Sequence, residues 1–209
     1  MTPSFPKIIW QTHNHKEEWL PEHLKQVKAT WVNLNPGWDY RYVDQVQRDQ
    51  MVSHYPEIYE VYKYQLPIPQ ADIWRYMVTY EEGGCYADMD SVCIKPLDFM
   101  LQGIDGDPEM IVVPEHKEKG NNHNFITKAK SPIMESIVDQ MRNNIRGSYL
   151  GIFINTVYSN ENVSKLFTAA SHSLDYKRAW GPNRLMINYY GENIKYKDFL
   201  EQKGLSLTI

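Results

Sequence analysis

The sequence has 209 residues, of which 42% are apolar and 23% are charged, a balance that is typical of a folded globular protein and excludes global disorder. No apolar run approaches the ~20 residues that span a bilayer, and the formal net charge of −4 argues against nucleic-acid binding as the main function. The two cysteines, Cys85 and Cys93, cannot build a disulfide framework and fit a reducing compartment.

The amino-terminal residues carry no sign of a sorting signal. The opening segment, MTPSFPKIIW, has neither the basic region nor the apolar stretch of a secretory leader. We therefore expect a cytoplasmic protein with no membrane span, built as a single domain over residues 1–209 or as one domain of a longer polypeptide. The 15 Tyr and 6 Trp residues suit a site for sugars or bases, although composition alone favours the simpler explanation of a Tyr-rich core.

Strands and helices alternate along the predicted secondary structure. Strands are predicted, in chain order, at residues 7–10, 38–43, 85–88, 91–95 and 110–114. Helices are predicted at residues 21–33, 44–54, 57–65, 70–82, 132–145 and 183–190. The polar, glycine-containing segment 116–124 is expected to be a mobile loop. The alternation predicts an α/β fold.

Two short segments in the first half of the chain carry most of the chemistry. They read A-D-I-W-R-Y at residues 71–76 and G-G-C-Y-A-D-M-D at residues 83–90. Asp72 and Arg75 share a face of the predicted helix, which offers an acceptor and a two-pronged donor to a sugar hydroxyl or a phosphate. Asp88 and Asp90 lie two residues apart, so on an extended chain their carboxylates can converge on a hard cation. We expect the glycine pair to let the backbone turn tightly and approach a ligand.

Each of these features has a plain explanation when it is taken alone. A lone D-x-D is most often a surface turn, an Asp–Arg pair three residues apart is usually solvated, and Gly-Gly is a common helix end. The combination is different, because chance rarely supplies all three in this order within 20 residues.

The combination resembles glycosyltransferase family 32, a group of DXD glycosyltransferases. The family includes the yeast initiating mannosyltransferases, the α-1,4-galactosyltransferases and, more distantly, the catalytic domains of the large clostridial glucosylating toxins. Its pattern runs P-K-I-I-H-Q, A-D-x-x-R-Y, G-G-x-Y-x-D-x-D and K-P-L-D. The matching segments here are P-K-I-I-W-Q at 6–11, the two segments above, and K-P-L-D at 95–98. The resemblance is dense over residues 5–98 and thinner beyond them.

The resemblance implies a GT-A fold, which is a Rossmann-like nucleotide-diphospho-sugar transferase fold with a mixed central sheet flanked by helices. It also implies a nucleotide-sugar donor and a divalent metal, Mn²⁺ or Mg²⁺. Carried over by position, Asp72 and Arg75 are the catalytic pair that holds the donor sugar and its phosphate. Asp90 ligates the metal, and Asp88 contacts both the metal side and the ribose. The implied nucleotide- and sugar-binding residues are Trp10, Gln11, Tyr86, Asp88 and Asn124.

Two departures from the family pattern affect these assignments. Trp10 stands where the family often has His, so stacking on the nucleobase either falls to this indole or weakens. A Ser-x-Trp motif near the carboxyl terminus, which usually accompanies a further metal or phosphate contact, has no counterpart in this sequence. His116 and His123 are therefore candidates for that contact, from the loop expected to close over the donor.

These implications predict a metal-dependent and retaining transfer of a hexose from a nucleotide-sugar to a glycan or another hydroxyl acceptor. A UDP-sugar such as UDP-glucose is the favoured donor, and nucleic acid is not an expected partner. Two alternatives stay open. The first is a non-catalytic module that binds nucleotide-sugars. The second is a phosphatase of the haloacid-dehalogenase type, whose D-x-D-x-[TV] loop resembles residues 88–92.

Overall fold

The structure is a computed structural model, and it describes residues 4–102, 104, 106–115, 119–143, 149–158, 163–165 and 186–188. The strands are β1 (Ile8–Thr12), β2 (Asp39–Val43), β3 (Gly84–Ala87), β4 (Ser91–Cys93), β5 (Met110–Glu115), β6 (Lys119–Thr127), β7 (Val163–Lys165) and β8 (Met186–Asn188). The helices are α1 (Glu22–Leu34), α2 (Gln45–Ser53), α3 (Pro56–Tyr62), α4 (Pro67–Glu82), α5 (Leu97–Gln102), α6 (Pro132–Asn143) and α7 (Tyr149–Tyr158), with a short 3₁₀ turn at Glu17–Trp19.

A mixed sheet organises the described part of the chain, with the strand order β2–β1–β3–β6–β5–β7. β1 runs parallel to both β2 and β3, whereas β6 runs antiparallel to β3 and to β5. β7 pairs in parallel with β5, and β4 and β8 form a separate antiparallel pair. The predicted α/β class with a mixed sheet flanked by helices is confirmed.

Helices cover both faces of this sheet because successive strand residues point to opposite sides. Trp10 and Tyr86 lie in the core shared with α2, α3, α4, α6 and α7. Their neighbours Ile9 and Cys85 lie in the opposite core, which α1 and α5 close. The alternation therefore places β1 and β3 between two apolar cores and fixes their register.

Helix α4 begins earlier than predicted, at Pro67 rather than at residue 70. Both of its prolines fall in the first turn, where the backbone N–H that proline lacks would have no partner within the helix. The helix ends at Glu82 and is capped by Gly83, whose φ of 68° is in the left-handed region and whose N–H donates to the carbonyl of Thr79 at 2.9 Å. Within the described ranges, no helix has both the length and the apolar character that crossing a bilayer requires.

Two predicted elements are wrong in type. Residues 119–124, expected in a mobile loop, belong to the long strand β6 (Lys119–Thr127), because β3 and β5 supply backbone partners on both sides. Residues 186–188, expected inside a helix, form β8 and pair with β4. In both cases pairing between distant segments overrides local propensity. Helices α5 and α7 have no counterpart among the predicted elements.

Candidate active site

The candidate site lies where β3 ends in the middle of the sheet. Ala87 is the last residue of β3 and pairs with Asn124 of β6, while Tyr86 pairs with Trp10 of β1 on the other side. The next backbone N–H, that of Asp88, donates to the carbonyl of His123 at 2.8 Å. The chain therefore leaves the sheet between β1 and β6, and it does so at Asp88.

The glycine pair brings β3 against the protein's own backbone rather than against a ligand. Gly83 and Gly84 have φ values of +68° and +96°. A Cβ on Gly84 would lie 2.6 Å from the carbonyl oxygen of Ile8, and one on Gly83 would lie 2.5 Å from the nitrogen of Ala129. The prediction that the pair approaches a ligand is corrected: close packing of three backbone segments explains both glycines.

Asp88 and Asp90 sit in a turn and not on an extended strand. The N–H of Ser91 donates to the carbonyl of Asp88 at 2.9 Å and closes the turn. Met89, between the two acids, is buried against Leu20. Both acidic residues stay partly exposed. The spacing of two residues thus leaves both acids accessible because the residue between them is anchored in the interior.

The oxygen ligands of this turn fit a divalent cation that is shared with a diphosphate. Carboxylates are ligands that Mg²⁺ and related hard cations prefer, and such ions usually keep waters and add phosphate oxygens to one or two protein carboxylates. Within the described ranges, no group of three or more His, Cys, Asp or Glu side chains is arranged to hold a metal ion. The two acids of the turn match the one or two carboxylates that such a cation takes when it also binds phosphate oxygens.

Arg75 is the buried centre of the site. Its guanidinium nitrogens lie 3.3 Å from Oδ1 of Asp72 and 3.2 Å from Oδ1 of Asp88. It also donates to the carbonyl of Asn122 at 2.8 Å and lies 4.4 Å above the ring centre of Tyr86. Burial works against the charge, but Asp88 and the other anionic neighbours outweigh it and raise the pKa of Arg75 above its ordinary value.

These contacts hold Arg75 among protein oxygens. The side chain is only 6% exposed, and its N–H groups face protein oxygens from α4, β6 and the turn after β3. A guanidinium presents five donors in a rigid fork, so it holds two carboxylates at a fixed separation. Its contacts with Asp72 and Asp88 both use Oδ1, which leaves Oδ2 of each acid as the oxygen to offer to a ligand.

Asn122 is a second buried group that contacts Asp72, and the sequence did not predict it. Its side-chain amide donates to Oδ1 of Asp72 at 2.8 Å and to the hydroxyl of Tyr76 at 2.5 Å. Burial raises the pKa of Asp72, and the charge of Arg75 and the hydrogen bond from Asn122 partly oppose that rise. The Asn-rich run 121–124 is the available signal in the sequence, but its polarity is equally typical of a solvated loop.

Tyr86 and Gln11 hold Asp88 in place through hydrogen bonds from the core. Both side chains are buried. The hydroxyl of Tyr86 donates to Oδ1 of Asp88 at 2.6 Å, and burial raises the phenol pKa well above its ordinary value, so the proton stays in place. The amide of Gln11 donates to the backbone carbonyl of Asp88 at 3.0 Å and accepts from the hydroxyl of Tyr40 at 2.8 Å. Both predicted binding residues thus act on Asp88 rather than facing open space.

Trp10 is buried in the core and does not line the surface of the site. It is 2% exposed, its indole N–H donates to the carbonyl of Gly83 at 3.0 Å, and its ring meets Trp74 edge-on with centroids 6.1 Å apart. Arg41 lies over the ring at 4.8 Å. The structure therefore gives no support to the prediction that this indole stacks on a nucleobase.

The remaining predicted residues fall on β6 or outside the described residues. His123 and Asn124 are buried on β6, beside the point where Asp88 leaves the sheet. The structure brings them to the site from a strand, and not from the predicted loop. His116 lies outside the described residues.

Comparison with known proteins points to the same type of protein as the motifs, a DXD glycosyltransferase. Residues 21–106 match the family model described as a glycosyltransferase sugar-binding region containing a DXD motif. The chain is 38% identical over 102 residues to a mannosyl phosphorylinositol ceramide synthase of Saccharomyces cerevisiae, covering 46% of this chain and 25% of that protein. It is 34% identical over 102 residues to an initiation-specific alpha-1,6-mannosyltransferase of Candida albicans, covering 45% of this chain and 26% of that protein. The matched part spans about a quarter of these relatives.

A solved structure with a similar fold is PaToxG glycosyltransferase. It superposes with a TM-score of 0.58 at 14% identity, covering 75% of this chain and 69% of that one. At this identity the likeness shows the fold alone, and that fold is GT-A, as the motifs implied. The resemblance to DXD glycosyltransferases of the GT-A type is thereby confirmed.

Proposed function

We propose that this chain, which carries a glycosyltransferase DXD region on a GT-A fold, transfers a hexose from a nucleotide-sugar to an acceptor hydroxyl. One observation carries the proposal: Arg75 fixes Asp72 and Asp88 through Oδ1 at the end of β3, next to the partly exposed Asp90. Two carboxylates held by one buried guanidinium are a costly arrangement that a surface turn does not need. A site that binds a cation and a sugar diphosphate does need it.

Different residues of the site bind the sugar and the diphosphate of the donor. Asp72 accepts a hydrogen bond from a hydroxyl of the donor sugar through Oδ2, while Arg75 and Asn122 hold its Oδ1. Asp88 and Asp90 would hold a divalent cation, which would supply positive charge to neutralise the departing nucleoside diphosphate. Arg75 keeps the two halves of the site at a fixed distance, because it contacts both acids. Retention of the anomeric configuration, implied by the resemblance, stays a prediction.

Mannose is the donor sugar that we propose. Both relatives described above are named for mannosyl transfer. GDP-mannose is therefore the first donor to test, ahead of the UDP-glucose that the sequence favoured. The phosphatase alternative requires its D-x-D loop to follow a fully apolar first strand, whereas residues 88–90 follow β3, so no structural observation favours it.

Calorimetric titration tests the donor site directly. We expect GDP-mannose to bind in the presence of Mn²⁺, and we expect Asp90→Asn to weaken that binding on the order of a hundredfold, since a cation ligand is lost. Asp107→Asn is the matched control, because it removes a carboxylate from an exposed pair with Lys128. Equal affinity of Asp90→Asn and the parent for the donor would contradict the assignment. Release of mannose or its transfer to an acceptor separates an enzyme from a non-catalytic binding module.

Replacing Asn122 by leucine tests the second buried support. The change keeps the side-chain size but removes the donor to Asp72, and we expect kcat to fall on the order of tenfold to a hundredfold. The acidic limb of the pH–rate profile should move to higher pH, because the hydrogen bond that lowers the Asp72 pKa is gone. Asn33→Leu, at an exposed position of α1, is the control. A loss of stability with an unmoved acidic limb would assign Asn122 a packing role only.

A further inference from the structure

Tyr149, the first residue of α7, has a buried hydroxyl with no hydrogen-bond partner among the residues that the structure describes. The residue as a whole is only 4% exposed. Most buried polar side-chain atoms have a partner, because an unpaired one gives up its hydrogen bonds to water and gains nothing in return. The free hydroxyl of Tyr149 therefore needs a physical explanation, and a partner that arrives with a ligand provides one.

The packing of α7 against α4 brings Tyr149 to the candidate site. Phe153, one turn after Tyr149, stacks on Tyr76 of α4 with ring centroids 5.4 Å apart, and it meets Phe125 of β6 at 5.2 Å. The hydroxyl of Tyr76 also donates to the backbone carbonyl of Tyr149 at 3.4 Å. Residues four apart share a face of a helix, so Asp72, one turn before Tyr76, lies on the face of α4 that meets α7.

Tyr149 and Asp72 are close enough to interact electrostatically. Burial raises the pKa of Tyr149, and the negative charge of Asp72 raises it further, so the phenol keeps its proton at neutral pH and remains a hydrogen-bond donor. Both residues lie in the described part of the chain, and no hydrogen bond joins them. A proton donor and an acid thus lie near each other without satisfying each other.

The chemistry of these two groups selects a hydroxyl as the ligand between them. Arg75 and Asn122 contact Oδ1 of Asp72, and 14% of the Asp72 side chain is exposed, so Oδ2 is the oxygen to offer. A sugar hydroxyl both donates and accepts, so a single one can accept from Tyr149 and donate to Asp72. A phosphate oxygen has no proton to give to the carboxylate, and its negative charge would be repelled by it.

We propose that Tyr149 is a specificity-determining residue for the donor sugar: its hydroxyl donates to one hydroxyl of the sugar, and that same sugar hydroxyl donates to Oδ2 of Asp72. The inference rests on the proposed function, because it takes Asp72 as the acid that meets the sugar. A sugar that lacks this hydroxyl leaves both protein groups unpaired, and sites built in this way reject such analogues strongly.

Tyr149→Phe removes the hydroxyl and keeps the ring. In calorimetric titration of the full chain with GDP-mannose and Mn²⁺, we expect its affinity to be on the order of tenfold below that of the parent, the loss of one hydrogen bond. The thermal midpoint of the ligand-free variant should not fall, because the hydroxyl has no partner to lose among the described residues. A purely structural role would give the opposite pair of results, a lower midpoint with unchanged affinity.

Tyr62→Phe is the matched control. Tyr62 is also buried, at 1% exposed, but its hydroxyl donates to Asp49 at 2.6 Å. Removing this hydroxyl breaks an existing hydrogen bond and leaves the carboxylate with one donor fewer. We expect the control to have a lower thermal midpoint than the parent and the same affinity for GDP-mannose.

The monodeoxy analogues of GDP-mannose identify the sugar hydroxyl. One of them should bind the parent on the order of a hundredfold more weakly than GDP-mannose does, because it loses both hydrogen bonds. Tyr149→Phe and the parent should bind that analogue equally well, since the hydroxyl of Tyr149 then has nothing to contact. With the other analogues, the tenfold difference between the two proteins should remain.

Two results would overturn the role of Tyr149 alone. They are equal affinity of Tyr149→Phe and the parent for GDP-mannose, and a tenfold difference that persists with every deoxy analogue. A parent that binds no GDP-mannose in the presence of Mn²⁺ would refute the proposed function, and the inference with it. Donor binding by the parent therefore distinguishes the two kinds of failure.

Discussion

Replacing Arg75 by methionine is expected to lower the free energy of unfolding by about 3 kcal/mol or more and to abolish sugar transfer. The change keeps much of the side-chain volume but leaves Asp72 and Asp88 without the guanidinium that contacts both. Removing one partner of a buried ion pair typically costs about 3–5 kcal/mol, because the remaining charge stays in a poorly solvated place. The lower end applies here, since the side chain of Asp88 is about a third exposed, at 32%. Denaturant unfolding and a donor-turnover assay measure the two effects.

The loss of stability should depend on pH in a defined direction. Burial already raises the pKa of Asp72, and without Arg75 it rises further. A carboxyl whose pKa is higher in the folded than in the unfolded state takes up a proton on folding, so its contribution to stability falls as the pH rises through the folded pKa. The variant should therefore be weakened more at neutral than at acid pH. Arg142→Met, at an exposed pair with Asp139, should change stability by no more than about 0.5 kcal/mol. An equal effect of both variants would contradict the central role of Arg75.

Replacing Gly84 by alanine is expected to destabilise the fold by about 4 kcal/mol or more, or to prevent folding. Two effects add at this position. Its φ of +96° is in the left-handed region, and its new Cβ would lie 2.6 Å from the carbonyl oxygen of Ile8. Ile8 pairs with Asp39 of β2, and the next residue, Ile9, pairs with Cys85 of β3, so that oxygen cannot move aside without opening the sheet. Effects of this size come from a few mechanisms, among them backbone strain and overpacking.

Two other glycines separate the two contributions at Gly84. Gly106 has a φ of +79°, but a Cβ added there would meet nothing within 4 Å, so Gly106→Ala should show the cost of backbone strain alone, about 1–2 kcal/mol. Gly37 has open space and no positive φ, so Gly37→Ala should be nearly neutral. Urea unfolding of the three variants provides the comparison. A Gly84→Ala protein no less stable than Gly106→Ala would show that β1 and β3 do not constrain this contact.

The candidate site could be predicted from the sequence where its residues are close along the chain. The pair Asp72 and Arg75 needs only helical spacing, and Asp88 and Asp90 need only the D-x-D pattern. Asn122 could not be found in this way, because it reaches Asp72 only after β6 has inserted between β3 and β5. That insertion is a long-range event, and a polar run that reads as a loop becomes a buried strand when two neighbours satisfy its backbone.

The same limit applies to the direction in which side chains point. The resemblance placed Trp10 and Tyr86 near the ligand by position along the chain. Both belong to the strand face that packs under α4, so their rings are buried and their polar atoms serve the protein. Which face of a strand meets the core depends on what packs there, and a motif that is read as a string does not contain that information.

The short chain of hydrogen bonds from Tyr40 through Gln11 to the carbonyl of Asp88 restricts how this sequence can drift in evolution. Tyr40 donates to Oε1, so the amide of Gln11 has one permitted orientation. Glutamate differs from glutamine by one group, yet at position 11 it would set a carboxylate oxygen against a carbonyl oxygen in a fully buried place. Positions 11 and 40, on two neighbouring strands, should consequently co-vary among related sequences: where one loses its hydrogen-bonding group, the other changes with it.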